Sequence, residues 1–331
     1  MKARLLPVLF LAICTVSATA QVTRDPVSMV PRDSANMVPT GKRFAIPDTS
    51  APMSQTPYIV TTGNGILYHG GPVMPGTVHI YFIWYGNWIS GPKKSDSQTT
   101  VSLLNALYAA SGGMGGSPYA KINSTYGDAT HQVSGAFSLV RSATDNYSQT
   151  KSVSDTGIKN IVQRAISNGG LPKDTNGIYF VLTSSDVNET SGFCTQYCGW
   201  HNHSTILSAD LKYAFVGNPD RCPAACEAQT VSPNGDSGAD GMASVMAHET
   251  EEAISDPRLN AWFDSHGNEN ADKCAWKFGG NAAQGGSLHG TVGSGAYNET
   301  FGTHHWLIQM NWENARKGGC DQVKGGKFFT F

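Results

Sequence analysis

Several things are scarce or missing in this 331-residue chain. Net charge is nearly absent, since 23 lysines and arginines against 25 aspartates and glutamates leave −2 at pH 7. There is therefore no broad basic footprint, and nucleic acid is not an expected partner. Beyond residue 20 no segment approaches the roughly 18 unbroken apolar residues of a membrane span, so no membrane partner is expected either. Neither an internal repeat nor a phosphate-binding P-loop occurs in the sequence.

Cysteine is also sparse, at 7 residues, and its placement is informative. Residues 1–20 hold basic Lys2 and Arg4, the apolar run LLPVLFLAICTV and the small residues Ala18-Thr19-Ala20, which together read as a secretory signal peptide. The mature chain is then expected to begin at Gln21 and to be secreted, extracellular or periplasmic. Cys14 leaves with the signal, and the remaining Cys194, Cys198, Cys222, Cys226, Cys274 and Cys320 form an even set in an exported chain. Zinc knuckles from the two C-x3-C pairs are the alternative, but an oxidising compartment favours bridges. The expected pairs are Cys194–Cys198, Cys222–Cys226 and Cys274–Cys320.

Residues 21–60 are rich in Pro, Ser, Thr and Asp without periodicity, as in a flexible leader or pro-segment. After it come runs of β-branched and aromatic residues, Val78–Tyr85 and Gly177–Thr183, which read as buried strands. Ala136–Val140 and Leu211–Val216 are further expected strands. Apolar spacing marks helices over Ser95–Ala110 and Thr156–Ile166. The alternation gives one mixed αβ domain over residues 61–331.

The chemistry concentrates between Asp236 and Cys274. Met242, Val245, Met246, Ala253 and Ile254 fall at mixed three- and four-residue steps, which predicts a buried amphipathic helix over Gly241–Ile254. Asp236, Ser237 and Asp240 are candidate N-caps, and Pro257 stops it. On this helix His248 and Glu252 lie four apart, one above the other, where both can grip one ion. Glu249 stands one step round, near the ion but not on it.

That spacing resembles the zinc-peptidase helix HExxH, with Glu252 in place of the second histidine. A carboxylate is an acceptable zinc ligand, although the added negative charge weakens the metal as a Lewis acid and favours manganese somewhat more. Glu269-Asn270-Ala271-Asp272 is similar to the zincin arrangement in which a downstream Glu is the third ligand and an Asp orients the histidine. The resemblance implies Glu269 on the metal and Asp272 supporting His248, or the reverse. One Zn2+ is the expected cofactor, Glu249 the general base, and a peptide or protein the expected substrate. The competing reading makes Glu249, Glu251 and Glu252 a solvated acidic face. His266, the pair His201 and His203, and His304 with His305 are lesser ligand candidates, because such histidines commonly serve hydrogen-bond networks. Five sequons, at Asn123, Asn146, Asn188, Asn202 and Asn298, require surface positions to be used.

The blocks YHGGPVMPGTVHIYFIWYGNW, GIYFVLTSSDV, GFCTQYCGWH, YAFVGNPDRCPAAC and SPNGDSGADGM follow one another in an order that resembles the EXORDIUM, or phosphate-induced protein 1, family. The resemblance runs from about Ile66 to Asp256 and continues to Cys320. It implies an extracellular protein, associated in plants with cell expansion and growth responses. A catalytically silent protein that binds cell-wall carbohydrate or a protein partner is accordingly the alternative to the hydrolase. The combined expectation is an α+β, zincin-like single domain with a mixed sheet and a buried metal-site helix.

Overall fold

The run from Gly76 to Tyr85 forms strand β1, buried continuously from Ile80 onward except where it begins, so it must lie inside a sheet with both faces covered. In the computed structural model, which describes residues 65–278, 290–315 and 318–325, it does. The signal peptide and the leader over 21–60 lie outside the described residues. β1 pairs in parallel with Val133–Asp145 (β2) on one side and with Gly177–Thr183 (β3), buried at every position, on the other. Gly199–Ile206 (β4) and Ala209–Gly217 (β5) complete the sheet, β5 parallel to β3 and β4 antiparallel to β5. The order is β2-β1-β3-β5-β4, which makes the fold α+β with a mixed sheet and leaves β4 as its antiparallel edge.

Three helices cover this sheet. Gln98–Leu107 (α1) starts at Ser97, whose hydroxyl accepts from Thr100 N. Asp155–Ser167 (α2) starts at Ser154 in the same way and turns Ile158, Ile161, Val162 and Ile166 inward. Ser237–Ser255 (α3) starts at Asp236, whose carboxylate accepts from Ala239 N, and ends one residue before the Asp256-Pro257 step. α3 packs on β4, β5 and α1. α2 lies in the connection from β2 back to β3 and packs on β1, β2 and β3.

One expectation about the elements needs correction. β2 runs thirteen residues rather than the five of Ala136–Val140, because an edge strand half open to solvent alternates too weakly for hydrophobic periodicity to mark its ends. The segment holding His201 and His203 is a strand whose ladder with β5 sets His201 opposite Ala214 and His203 opposite Lys212.

The disulfides correct two of the three expected pairs. Cys274–Cys320 forms as expected, but the others are Cys194–Cys222 and Cys198–Cys226. Pro223–Cys226 is a helical turn, so Cys222 and Cys226 project from one side of it and meet two partners rather than each other. Each bridge closes a span of 28 residues, worth roughly 3–4 kcal/mol by loop entropy if taken alone. Proteolysis without reduction is expected to release peptides joining Cys194 to Cys222 and Cys198 to Cys226. Recovery of the two short C-x3-C bridges would contradict this arrangement.

Burial also removes two sequons. Asn123 and Asn298 are fully buried, their amides donating to Glu251 O and to Phe278 O and Ile308 O. A glycan at either is incompatible with the folded chain.

Candidate metal centre

Every residue of α3 from Gly238 to Ser255 is buried, the acidic ones included. Glu249, Glu251 and Glu252 each have zero exposure, so a solvated acidic face is ruled out. The helix reaches this depth partly because the strand beneath it carries no side chain at Gly199. A Cβ there would stand 2.6 Å from Val245 Cγ1 and 3.1 Å from Glu249 Oε1. Strand alternation then turns His201, two residues on, toward the same helix.

Glu252 lies between two histidines. Its Oε1 is 2.9 Å from His248 Nε2, the i,i+4 partner, and accepts from Asp272 N at 3.0 Å. Its Oε2 faces the other way, 3.7 Å from His201 Nε2. Asp272 Oδ1 approaches His248 Nε2 at 3.5 Å, whereas Glu269 Oε2 approaches His201 Nε2 at 3.0 Å. Two triads of potential ligands result, His248–Glu252–Asp272 and His201–Glu252–Glu269, each with its ligand atoms within 4.8 Å of one another.

The turn after α3 explains how two acids only three residues apart serve different histidines. Asp256 holds that turn, accepting from Asn260 N and Ala261 N at 2.7 Å each and from Trp262 N at 3.2 Å. Asp272 Oδ2 then accepts from Glu269 N at 3.1 Å, which leaves Asp272 Oδ1 for His248 and swings the Glu269 side chain to the strand side. Cys274–Cys320 ties this segment to the C-terminal hairpin of Asn311–Glu313 with Gly319–Asp321.

The electrostatics are those of a site crowded with acid. Burial and then the neighbouring Asp272 raise Glu252, His248 opposes them, and the group comes to rest at about 7. Burial, with Glu252, Asp256, Asp272 and Glu249 beside it, holds Glu269 well above the carboxylate range. Burial would lower His248, but the adjacent Glu252, Asp272 and Glu249 keep it well above the usual imidazole range. Glu252 Oε2, Glu269 Oε1 and Asp272 Oδ1 accept no hydrogen bond. Buried carboxylate oxygens without donors are costly unless they bind protons or a cation.

Gln309 fixes the ring of His248 from outside. Its Nε2 donates to Ala271 O at 2.9 Å and to His248 Nδ1 at 2.8 Å, while its Oε1 accepts from Trp276 N at 3.3 Å. With Nδ1 accepting, the proton of a neutral imidazole sits on Nε2, toward Glu252. Ligation through Nε2 requires that proton to leave and the amide to present its oxygen to Nδ1.

The sequence candidates therefore divide. His248, Glu252 and Asp272 come together, Glu269 joins them through Glu252, and Glu249 is close enough to both His248 and Glu269 to bias their charge. His266 does not belong, its side chain being 82% exposed beside Asp264. Nor does His203, which pairs with Asp210, itself bound by Arg258. His305 stacks on Tyr297 and bonds Thr300. Sequence reasoning ranked His201 low and missed Gly199 and Gln309. The signal available was the Cys-Gly-Trp-His order, which places glycine and histidine on one face of a strand.

The three disulfides, with no helix among the described residues long and apolar enough to cross a membrane, are consistent with a secreted protein. Residues 66–323 match the family described as the phosphate-induced protein 1 conserved region. The chain is similar to Protein EXORDIUM-like 3 of Arabidopsis thaliana, 32% identical over 281 residues, covering 75% of this chain and 80% of the relative. Protein EXORDIUM-like 5 of the same plant is 30% identical over 275 residues, covering 74% of each. Protein PHOSPHATE-INDUCED 1 of Nicotiana tabacum is 28% identical over 215 residues, covering 59% of this chain and 66% of that one. No solved structure matches. With the match spanning nearly all of the described residues, the chain belongs to the phosphate-induced protein 1 family.

Proposed function

We propose that the protein is a secreted, metal-dependent hydrolase of this family, zincin-like in its use of the α3 helix, acting on a peptide or protein. The observation that carries this reading is the convergence on Glu252 of buried ligand groups whose outward oxygens have no donor. His248, Glu252 and Asp272 would hold a zinc ion, with Glu269 reached through the other oxygen of Glu252. The ion would supply Lewis acidity and lower the pKa of a water in its open position. Glu249 is the proton carrier, buried beside the ligands: it takes a proton from the attacking water and returns it to the leaving amine.

The roles predict different losses. Glu249→Gln is expected to keep the metal and lose about 10²–10⁴ in rate, whereas Glu252→Gln loses the metal itself. Glu251, turned away and accepting from Asn311 Nδ2 at 3.1 Å, is the control, and Glu251→Gln should alter neither. Metal analysis of each secreted variant, with a proteome-wide cleavage screen run with and without chelator, tests the reading. Absence of bound metal from correctly folded protein, or equal cleavage by parent and Glu249→Gln, overturns it.

A second reading is favoured by one observation, the complete burial of Glu249 together with the ligands. A site closed to water suits a structural cation in a catalytically silent extracellular protein that binds cell-wall carbohydrate or a partner. Tight metal with no chelator-sensitive cleavage in the screen selects that reading.

A further inference from the structure

We infer that this centre is built for two divalent cations bridged by Glu252, one held with His248 and Asp272 and the other with His201 and Glu269. The inference rests on the metal-binding reading above and sets its stoichiometry. Its first support is the direction of the Glu252 oxygens: Oε1 faces His248 at 2.9 Å and Oε2 faces His201 at 3.7 Å, as a carboxylate spanning two ions must.

The second support is that the two triads do not merge. Ligand atoms on one zinc at about 2.0–2.2 Å stand no more than about 4.4 Å apart. The ligand atoms of each triad lie within 4.8 Å of one another, and neither triad holds both histidines. Each histidine is thus grouped with its own second acid, Asp272 for His248 and Glu269 for His201, and the two groups share only Glu252. Paired ions about 3.5–4 Å apart are a known hydrolytic design, clamping the attacking and leaving oxygens together.

Charge balance points the same way. Glu252, Glu269 and Asp272 bring three ligand carboxylates into one buried cluster with Asp256 and Glu249 beside them, and the two imidazoles must be neutral to act as ligands. One divalent ion offsets only two of these negative charges in a water-poor interior, and a second offsets the remainder of the ligand set. The unbonded atoms fall on both sides: Asp272 Oδ1 belongs to the His248 triad, Glu269 Oε1 to the His201 triad, and Glu252 Oε2 faces the latter.

The full secreted chain, stripped with chelator and titrated with Zn2+ or Mn2+, tests this by metal analysis after gel filtration. Two equivalents per chain are expected, falling to one in His201→Ala and to one in His248→Ala. Saturation of the parent at one equivalent overturns the two-ion proposal while leaving the metal-dependent reading intact, and no binding overturns both. Should a histidine variant fail to fold, the parent decides alone. Loaded with Mn2+, it is expected to give an exchange-coupled paramagnetic resonance spectrum, and an isolated six-line signal at full loading would refute the bridge.

Discussion

Gly199→Ala is expected to lower the unfolding free energy by about 1–3 kcal/mol, the usual cost of overpacking a filled interior. The added methyl meets Val245 Cγ1 at 2.6 Å, Phe215 O at 2.8 Å and Glu249 Oε1 at 3.1 Å. The first two contacts cannot be relieved by a flexible chain end, since one is a branched side chain on a buried helix and the other is backbone. Gly199 has no positive φ, so the cost is crowding alone and not a strained backbone. To accommodate the methyl, α3 must lift from β4, which draws Glu252 away from His201. Denaturant unfolding should therefore show the loss of stability, and titration should show weaker metal retention in the same variant. A shift under about 0.5 kcal/mol with full metal content would mean that the helix does not ride on this glycine.

How much of this was legible in the sequence depends on the range over which each feature is decided. His248 and Glu252 were readable because a helix alone fixes i and i+4, and the cap at Asp236 and the stop before Pro257 were local in the same sense. Fully buried strands such as β3 announced themselves by composition. His201 was a different case. Alternation puts Gly199, His201 and His203 on one face of β4, and nothing within the strand says which of them lies beneath Glu252. That is decided by the β4–β5 register and by where α3 ends, contacts separated by some fifty residues. The outcome is that His201 enters the acid cluster while His203 pairs with Asp210 near the surface.

The same limit explains the two other departures. Glu269 and Asp272 were expected to serve one ion and its histidine, but the hydrogen bond from Glu269 N to Asp272 Oδ2 turns the two side chains to different histidines. Spacing cannot show a turn that folds back on its own backbone. The cysteine pairs failed for a related reason, because a helical turn at Pro223–Cys226 presents both thiols outward to a second pair. Acidity in a helix is likewise ambiguous. Glu251 looks like solvated charge until Asn123, Asn270 and Asn311 are seen to surround it, bonding its backbone oxygen and its carboxylate.

Buried acid outside the metal centre gives the second large effect. Glu299, in the hairpin of Glu299–Phe301 with His304–Trp306, is raised by burial from 4.5 to about 8, and its Oε1 has no hydrogen-bond partner. It is therefore held as the neutral acid at pH 7. A carboxyl whose folded pKa is raised contributes stability that is full below the unfolded value, near 4.5, and that is lost as pH climbs through the folded value, near 8. Over that window, from 4.5 to about 8, the loss attributable to this group is on the order of 4–5 kcal/mol, at about 1.36 kcal/mol per pH unit. Glutamine copies the neutral acid in shape and cannot ionise. Glu299→Gln is thus expected to match the parent at pH 4, below the unfolded value, and to unfold at a temperature roughly 10 °C higher at pH 8.5, taking about 2–4 °C per kcal/mol for a domain of this size. The comparison should be run in chelator, so that metal binding, which strengthens as its own ligands lose protons, does not oppose the trend. Parallel stability curves for the two proteins from pH 4 to 8.5 would show that Glu299 is already ionised in the folded chain.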